Sequence, residues 1–447
     1  MSQPILPMEL PPCQEAAPPV PTRREQARLL RPVRNQAEMV MRDLDSLVAQ
    51  AHPIRAIWSF LEQLDLSAFY QSIKAVVNRP GHPAGDPQVL LALWVYATVE
   101  GVGSARRLEA LCQEHDAYRW LCGGVPVNYH TLADFRVAHQ EALEQLLTEI
   151  IATMMANDLV QLQQVAQDGV KVRASAGASS FHRGERLAQC LAEAEAQVTR
   201  LAHEREHPDP RVSQREQAAR QRAGQDREER VQRALRQLPS VQAAKERQRH
   251  TRSKAQRGKV TEARVSTTDP DARVMKLADG GYRPAYNVQF ATDVGSGVIV
   301  GASVVNQGSD VGQGPPMEAQ VARRTGQHPG DYLMDGGFAT SEDITALEKL
   351  GITVYTPVKL PRNKPEEERY QPHYGDSPQV VKWRQRMSTD EAKAVYRLRA
   401  ATAEWTNAQA RGHGLLPFAV RGLGKVLSAV LLVSIAHNLM RWRALGA

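Results

Sequence analysis

Asp168 in VAQDGVKV, Asp335 in DYLMDGGFA and Glu404 in TAEWTNAQAR are the residues of this chain whose types and settings could do chemistry. Asp168 and Asp335 each stand at or near the end of an apolar, β-branched run, where a strand exposes a side chain at a sheet edge. Glu404 lies among helix formers. Two strand carboxylates and one helix carboxylate can converge on hard cations. Mg2+ takes a few carboxylate oxygens along with water and substrate phosphate. A pair of such ions roughly 3.5–4 Å apart stabilises both the attacking and the leaving oxygen of an in-line displacement. A single acid is far more often a solvated surface charge, so the three neighbourhoods carry the reading together.

At about 100° per residue, Arg397, Glu404, Asn407 and Arg411 fall on one helical stripe, a carboxylate beside two guanidinium groups. On an arbitrary helix that stripe is a solvated face. Beside a nucleic-acid backbone, the arginine fork matches phosphate and the same stripe grips metal and DNA together. Tyr396 and Arg399 lie off the stripe and are expected to reach DNA from its flank. Lys171, Arg173, Asn287 and Gln289 flank the proposed strands, where alternation sends about half of such polar residues to solvent.

These residues need elements to hold them. Residues 1–22 are proline-rich and aperiodic and are expected to be disordered. From Arg23 to Ala156 the pattern is helical. Val89, Leu90, Leu93, Trp94 and Ala97 keep one apolar stripe behind an Asp86 cap and a first-turn Pro87. Gly101, Gly103, Gly123 and Gly124 break the helices, and Thr131 three residues before Asp134 gives a weak capping signal. Helix, glycine-containing turn and helix is the grammar of helix-turn-helix DNA readers and also of plain bundles. Trp94, Tyr96, Trp120 and Phe135 are expected in the core rather than as base-stacking platforms. His115, His130 and His139 lack a second ligand at a metal-binding interval.

Strand grammar begins at Gln164–Ala174. A polar stretch from Arg183 to about Arg264, with breaks at HPDP (207–210) and LPS (238–240), reads as two or three long charged helices, a hairpin protruding from the domain. Strands return at Ala285–Asp293 and Val298–Val305 around a VGSG turn, at Tyr332–Met334, and at Ile352–Thr356 after a helix beginning at Thr340. Gly336 and Gly337 would allow a sharp exit beside Asp335.

The chain of 447 residues is long enough for two or three domains. Its net charge of +7 is compatible with a polyanionic partner and equally with good solubility alone, but the basic residues cluster at Arg23, Arg24, Arg28, Arg31 and Arg34 and again over Lys245–Lys259. Four cysteines, Cys13, Cys112, Cys122 and Cys190, show no zinc or disulfide spacing, which fits a reducing cytoplasm. No signal-peptide pattern opens the chain, and the apolar run Val426–Ala436 is too short for a span of about 20 residues, so a buried terminal helix is expected.

The segments QDGVKVRASAGASSF, STTDPDARVMKLADGGYRPAYNVQFATD, YLMDGGFA and YRLRAATAEWTNAQARGHGLLPFAVRGLGKV together resemble bacterial insertion-sequence transposases of the DDE type, close to the IS1182 group within the wider IS4/IS5-like set. The segment DPQVLLALWVYATVEGVGSARRLEALCQEHDAYRWLCGG resembles that family's helical N-terminal region, so the resemblance covers nearly the whole chain. It implies that Asp168, Asp335 and Glu404 are the catalytic, metal-binding triad. Tyr396, Arg399, Glu404 and Arg411 approximate the family's Tyr, Arg, Glu, Lys signature, with one extra residue before Glu404 and Arg in place of Lys.

The fold so implied is an α/β RNase H-like catalytic domain (160–182 and 263–447) carrying a charged α-helical insertion (183–262). An all-α N-terminal domain (23–156), expected to bind DNA, precedes it. The implied cofactor is two Mg2+ ions, with Mn2+ as the alternative. The implied activity binds transposon ends, cleaves DNA by phosphodiester hydrolysis and joins 3′ ends to target DNA. Tyr396, Arg397, Arg399, Asn407 and Arg411 would meet DNA. The expected partners are DNA and a second subunit on it, with no membrane and no small-molecule substrate, in a bacterial cytoplasm at the nucleoid. A catalytically silent DNA-binding relative and a metal-dependent nuclease without strand transfer are the competing readings.

Overall fold

All but the last of the helices that precede the first strand start where the chain provides a partner for a free backbone N–H group or a proline that needs none; the exception is Gln140–Ala156. A computed structural model describes residues 35, 37, 39–73, 75, 83–206, 212–250, 262–360, 365, 368–415 and 417–446, without the side chains of residues 248 and 250. The proline-rich arm, the Arg23–Arg34 cluster, the HPDP break and residues 251–259 of the second basic cluster lie outside the described residues. The chain divides into Met1–Asp43 and Leu44–Ala447, and every element below belongs to the second part.

The helices are α1 (Pro53–Glu62), α2 (Ser67–Tyr70), α3 (Pro87–Val99), α4 (Ala105–Glu114), α5 (Asp116–Cys122), α6 (Tyr129–Ala138) and α7 (Gln140–Ala156). Asp86 accepts from the Gln88 N–H ahead of Pro87, as the sequence predicts. The single apolar stripe expected for α3 is corrected: Leu90 to Thr98 are all buried, because helices pack on every side of it. The cap of α6 is Asn128, which accepts from Thr131 N at 2.9 Å, so Thr131 lies inside the first turn rather than before it. Trp94, Tyr96 and Phe135 are buried, and Trp120 is partly buried beneath the Arg55 guanidinium. His115 caps α5.

The sheet contains β1 (Gln164–Arg173), β4 (Arg273–Lys276), β5 (Tyr282–Asp293), β6 (Ile299–Val305), β7 (Asp331–Met334) and β8 (Thr353–Tyr355), in the order β4-β5-β1-β7-β8 with β6 also on β5. The β5–β1 and β5–β6 pairs are antiparallel, and β1–β7 and β7–β8 are parallel. The short pair β2 (Phe181–His182) and β3 (Val265–Ser266) forms a separate ribbon. It closes the neck of the charged insertion, whose helices α8 (Gly184–Glu206) and α9 (Gln214–His250) pack on each other. The expected break at residues 238–240 does not occur. Helix α9 runs through Pro239 because Leu235, Leu238 and Val241 pack against Leu187, Ala234 and Val265.

Helices α10 (Gly314–Thr325) and α11 (Ser341–Lys349) connect the strands, and α12 (Pro378–Ser388), α13 (Asp390–Gly412) and α14 (Leu423–Leu445) complete the chain. The Thr340 start of α11 is a full capping box with Asp343. Helix α10 has no counterpart in the sequence reading, because its GPPMEAQVARRT begins with turn residues and shows little periodicity. Helix α14 extends beyond the Val426–Ala436 run and is long and apolar enough to cross a membrane. It is nonetheless a core helix, with Val426 to Leu439 largely buried. Leu431, Leu432 and Ile435 join a core that includes Trp94, Ile150, Val165 and Tyr332, so one apolar cluster runs from the N-terminal helices into the sheet.

Candidate active site

Strand β1 runs beside the shorter β7 in parallel register, Gln167 opposite Met334. Asp335, the first residue past the end of β7, therefore comes beside Asp168 as β1 continues along β5. The turn that follows closes with Phe338 N donating to Asp335 O at 2.9 Å. The expected need for glycine in this exit is modified, because neither Gly336 nor Gly337 adopts a positive φ. A Cβ at Gly337 would lie 3.4 Å from Asp335 Oδ2, so this glycine leaves room beside the carboxylate.

Helix α13, capped by Thr389, lays Ala403, Thr406, Asn407 and Ala410 toward the body of the protein. The small residues let the helix approach β1 closely enough for two longer side chains to reach Asp168. Arg399 Nη2 donates to Asp168 Oδ1 at 2.7 Å, and Asn407 Nδ2 donates to Asp168 Oδ2 at 2.9 Å. The other terminal nitrogen, Arg399 Nη1, stands 3.8 Å from Asp335 Oδ1. The side chains of Asp168 and Arg399 are 23% and 14% exposed and that of Asp335 is 52% exposed, so the bridge runs from a half-buried acid to an open one. Burial pushes the Asp168 carboxyl above the usual range, while the Arg399 charge and the Gly169 N–H pull the other way. Tyr396 is partly buried beside Arg399, and burial raises its phenol.

The structure thus divides the predicted stripe. Arg397, Glu404 and Arg411 are exposed, whereas Asn407 turns inward with Arg399. Spacing placed Asn407 with the exposed set, yet it lies far enough round the helix to meet the sheet. The structure brings together Asp168, Asp335, Arg399 and Asn407. Glu404 is exposed and forms no ion pair among the described residues. Nor do three or more His, Cys, Asp or Glu side chains converge as a metal cluster among them.

The donor chemistry of the carboxylate pair suits a hard cation. Two aspartates from neighbouring strand ends face one another across a positive group, and Asn407 Oδ1 is buried there without a hydrogen-bond partner. Asp168 and Asp335 would hold a divalent ion where the guanidinium now lies.

Sequence reasoning missed Asp310. Its Oδ1 accepts from Asn287 Nδ2 at 2.6 Å and from Gln289 Nε2 at 2.7 Å, under the Gly169 position of β1. Gln167 Nε2 donates to Gln289 Oε1 and Tyr332 OH donates to Gln167 Oε1, extending the chain into the core. Asn287 and Gln289, expected at solvent in half of cases, are fully buried, while Arg173 is exposed. Polar residues two apart inside an apolar strand are the signal that could have found this network.

An α/β protein with paired carboxylates at adjacent strand ends, bridged from a C-terminal helix, is the class that fold and site define. Within it, the transposase domain family DUF772 matches residues 42–138, and a transposase DDE domain matches residues 365–443, which contain α13 and most of α14. Both matches are to transposase domains, consistent with an insertion-sequence DDE transposase of the IS1182-like group, and they indicate a function in transposition. No curated protein and no solved structure matches the chain.

Proposed function

We propose that this transposase binds the ends of its insertion sequence, cuts them by metal-dependent phosphodiester hydrolysis and joins the 3′ ends to target DNA. The observation that carries this reading is the Asp168–Arg399–Asp335 bridge, made by a helix inside the matched DDE region. The strand order supports an RNase H-like catalytic domain: β6, β5 and β1 antiparallel, then β7 and β8 parallel to β1.

When bound, Mg2+ or Mn2+ would lower the pKa of the attacking water and stabilise the departing oxygen. Asp168 and Asp335 would hold it from the strand ends. Glu404 would complete the set from α13, where it lies exposed three residues before Asn407. Asn407 fixes the orientation of Asp168, and the exposed Arg397 and Arg411 meet the DNA backbone from the same helix, with Tyr396 and Arg399 at its flank. Two ends are held at once, so a homodimer on DNA is the working assembly, in the cytoplasm at the nucleoid. The N-terminal helices 53–156 supply end recognition.

Asp168→Ala, Asp335→Ala and Glu404→Ala should each abolish Mg2+-dependent cleavage and 3′-end joining of a labelled terminal fragment while retaining end binding in a mobility-shift assay. Normal cleavage by any of the three removes that residue from the site. Cleavage without joining by the unaltered protein would make it a nuclease.

A further inference from the structure

We infer that Arg399 is a positioning residue that stands in for the metal: in DNA-free protein its guanidinium occupies the cation position between Asp168 and Asp335, and it must swing out before a divalent ion can enter. The inference rests on the reading that these two aspartates are metal ligands.

Two carboxylates held on neighbouring strand ends repel unless a positive charge lies between them. The planar fork suits this place because its two terminal nitrogens point to different acids, Nη2 to Asp168 at 2.7 Å and Nη1 to Asp335 at 3.8 Å. The geometry is uneven, tight on the half-buried acid and loose on the exposed one, so the side chain is anchored at one end and free to leave at the other. Its Nε is buried with no hydrogen-bond partner, so the resting position leaves one donor unsatisfied. A guanidinium and a divalent cation cannot both occupy the gap, because they would take the same carboxylate oxygens and like charges at such a distance repel. Arg399 therefore keeps the acids in register while the protein is free and competes with the metal until a stronger anion draws it away. Nearby DNA phosphate is such an anion.

Mn2+ binding to DNA-free protein, measured by titration calorimetry and by the electron paramagnetic resonance signal of free Mn2+, tests this. The unaltered protein is compared with Arg399→Gln, Arg399→Lys, Asp168→Asn and the Asp168→Asn/Arg399→Gln pair, each checked for fold by circular dichroism. Arg399→Gln should bind Mn2+ about tenfold more tightly or better and gain more thermal stability from it. Arg399→Lys keeps the charge and should stay within about threefold of the unaltered protein. The double variant should lose the site. Equal affinity in the unaltered and Arg399→Gln proteins, lost in Asp168→Asn, overturns the stand-in role and leaves the metal reading intact. Binding unaffected by Asp168→Asn, or absent from every protein, overturns the metal reading and the inference with it.

Discussion

Gly169 separates the two chemistries of β1, because its neighbour Asp168 turns to α13 while its own empty face admits Asp310. A Cβ there would collide with Asp310 Oδ1 and Gln289 Nε2 and come within 3.0 Å of Asn287 Oδ1. Gln289 and Asn287 are fully buried and tied to Asp310, so they cannot move aside freely. Gly169→Ala should therefore cost about 1–3 kcal/mol in urea denaturation. Because the clash and the hydrogen bonds share Asp310, Gly169→Ala and Asp310→Ala should lose less together than the sum of their separate losses, by about 1 kcal/mol. Strict additivity would mean that the methyl group finds space elsewhere.

At the scale of elements, the charged insertion is fastened rather than merely attached. Asp271, buried at the base, accepts from Arg233 Nη2 and Gln237 Nε2 of α9, both at 2.6 Å, and from Leu423 N at the start of α14. Asp269 beside it accepts from Tyr286 OH and Gly422 N. Together the two acids join insertion, sheet and terminal helix. Removing residues 183–262 with a short flexible bridge between the β2 and β3 ends should leave a folded protein by circular dichroism, since that ribbon already holds the ends together. It should be less stable by about 1–3 kcal/mol, because Asp271 loses the two donors that α9 gives it in the full chain. Asp271→Asn in the shortened protein should recover part of that loss. If it recovers none, the cost lies in the apolar contacts of Leu187, Ala234 and Val265 instead.

For the whole molecule, α14 is the element that both layers share, and its polar residues are built into the packing. Asn438 Oδ1 accepts from Ile299 N at 2.9 Å and its Nδ2 donates to Ile299 O at 2.8 Å. His437 lies against Gly297 O with Nε2 at 2.8 Å, and burial pushes its pKa down to about 4, with His413 and Arg441 adding in the same direction. The folded value lies below the unfolded 6.5, so between them the unfolded chain binds the extra proton. Stability from this group is complete above pH 6.5 and is lost as pH falls through about 4, an effect on the order of 3 kcal/mol. His437→Gln keeps a donor for Gly297 O and removes the titration. The difference in unfolding free energy between the two proteins should therefore change by that amount across the window, read from denaturant curves at several pH values. Parallel pH curves would show that His437 titrates normally.

The sequence by itself determined the local elements. Apolar, β-branched runs and a glycine-containing turn define β1, β7 and the β5–β6 hairpin, and Asp86 and Thr340 mark helix starts, because backbone geometry ties each pattern to a few neighbouring residues. It also placed Arg397, Glu404 and Arg411 on one face of α13. Only the tertiary structure decided which face meets the sheet. Angular spacing orders residues around a helix without orienting it, and orientation follows from which side can be buried, here that of Ala403, Thr406 and Ala410. That choice turned Arg399 and Asn407 onto Asp168 and left Glu404 outside. Strand alternation likewise gave the parity of Asn287 and Gln289 but not their burial, because a sheet covered on both faces hides both parities. The meeting of Asp168 with Asp335 depends on the register between β1 and β7, which is set by the packing of distant segments against a common core.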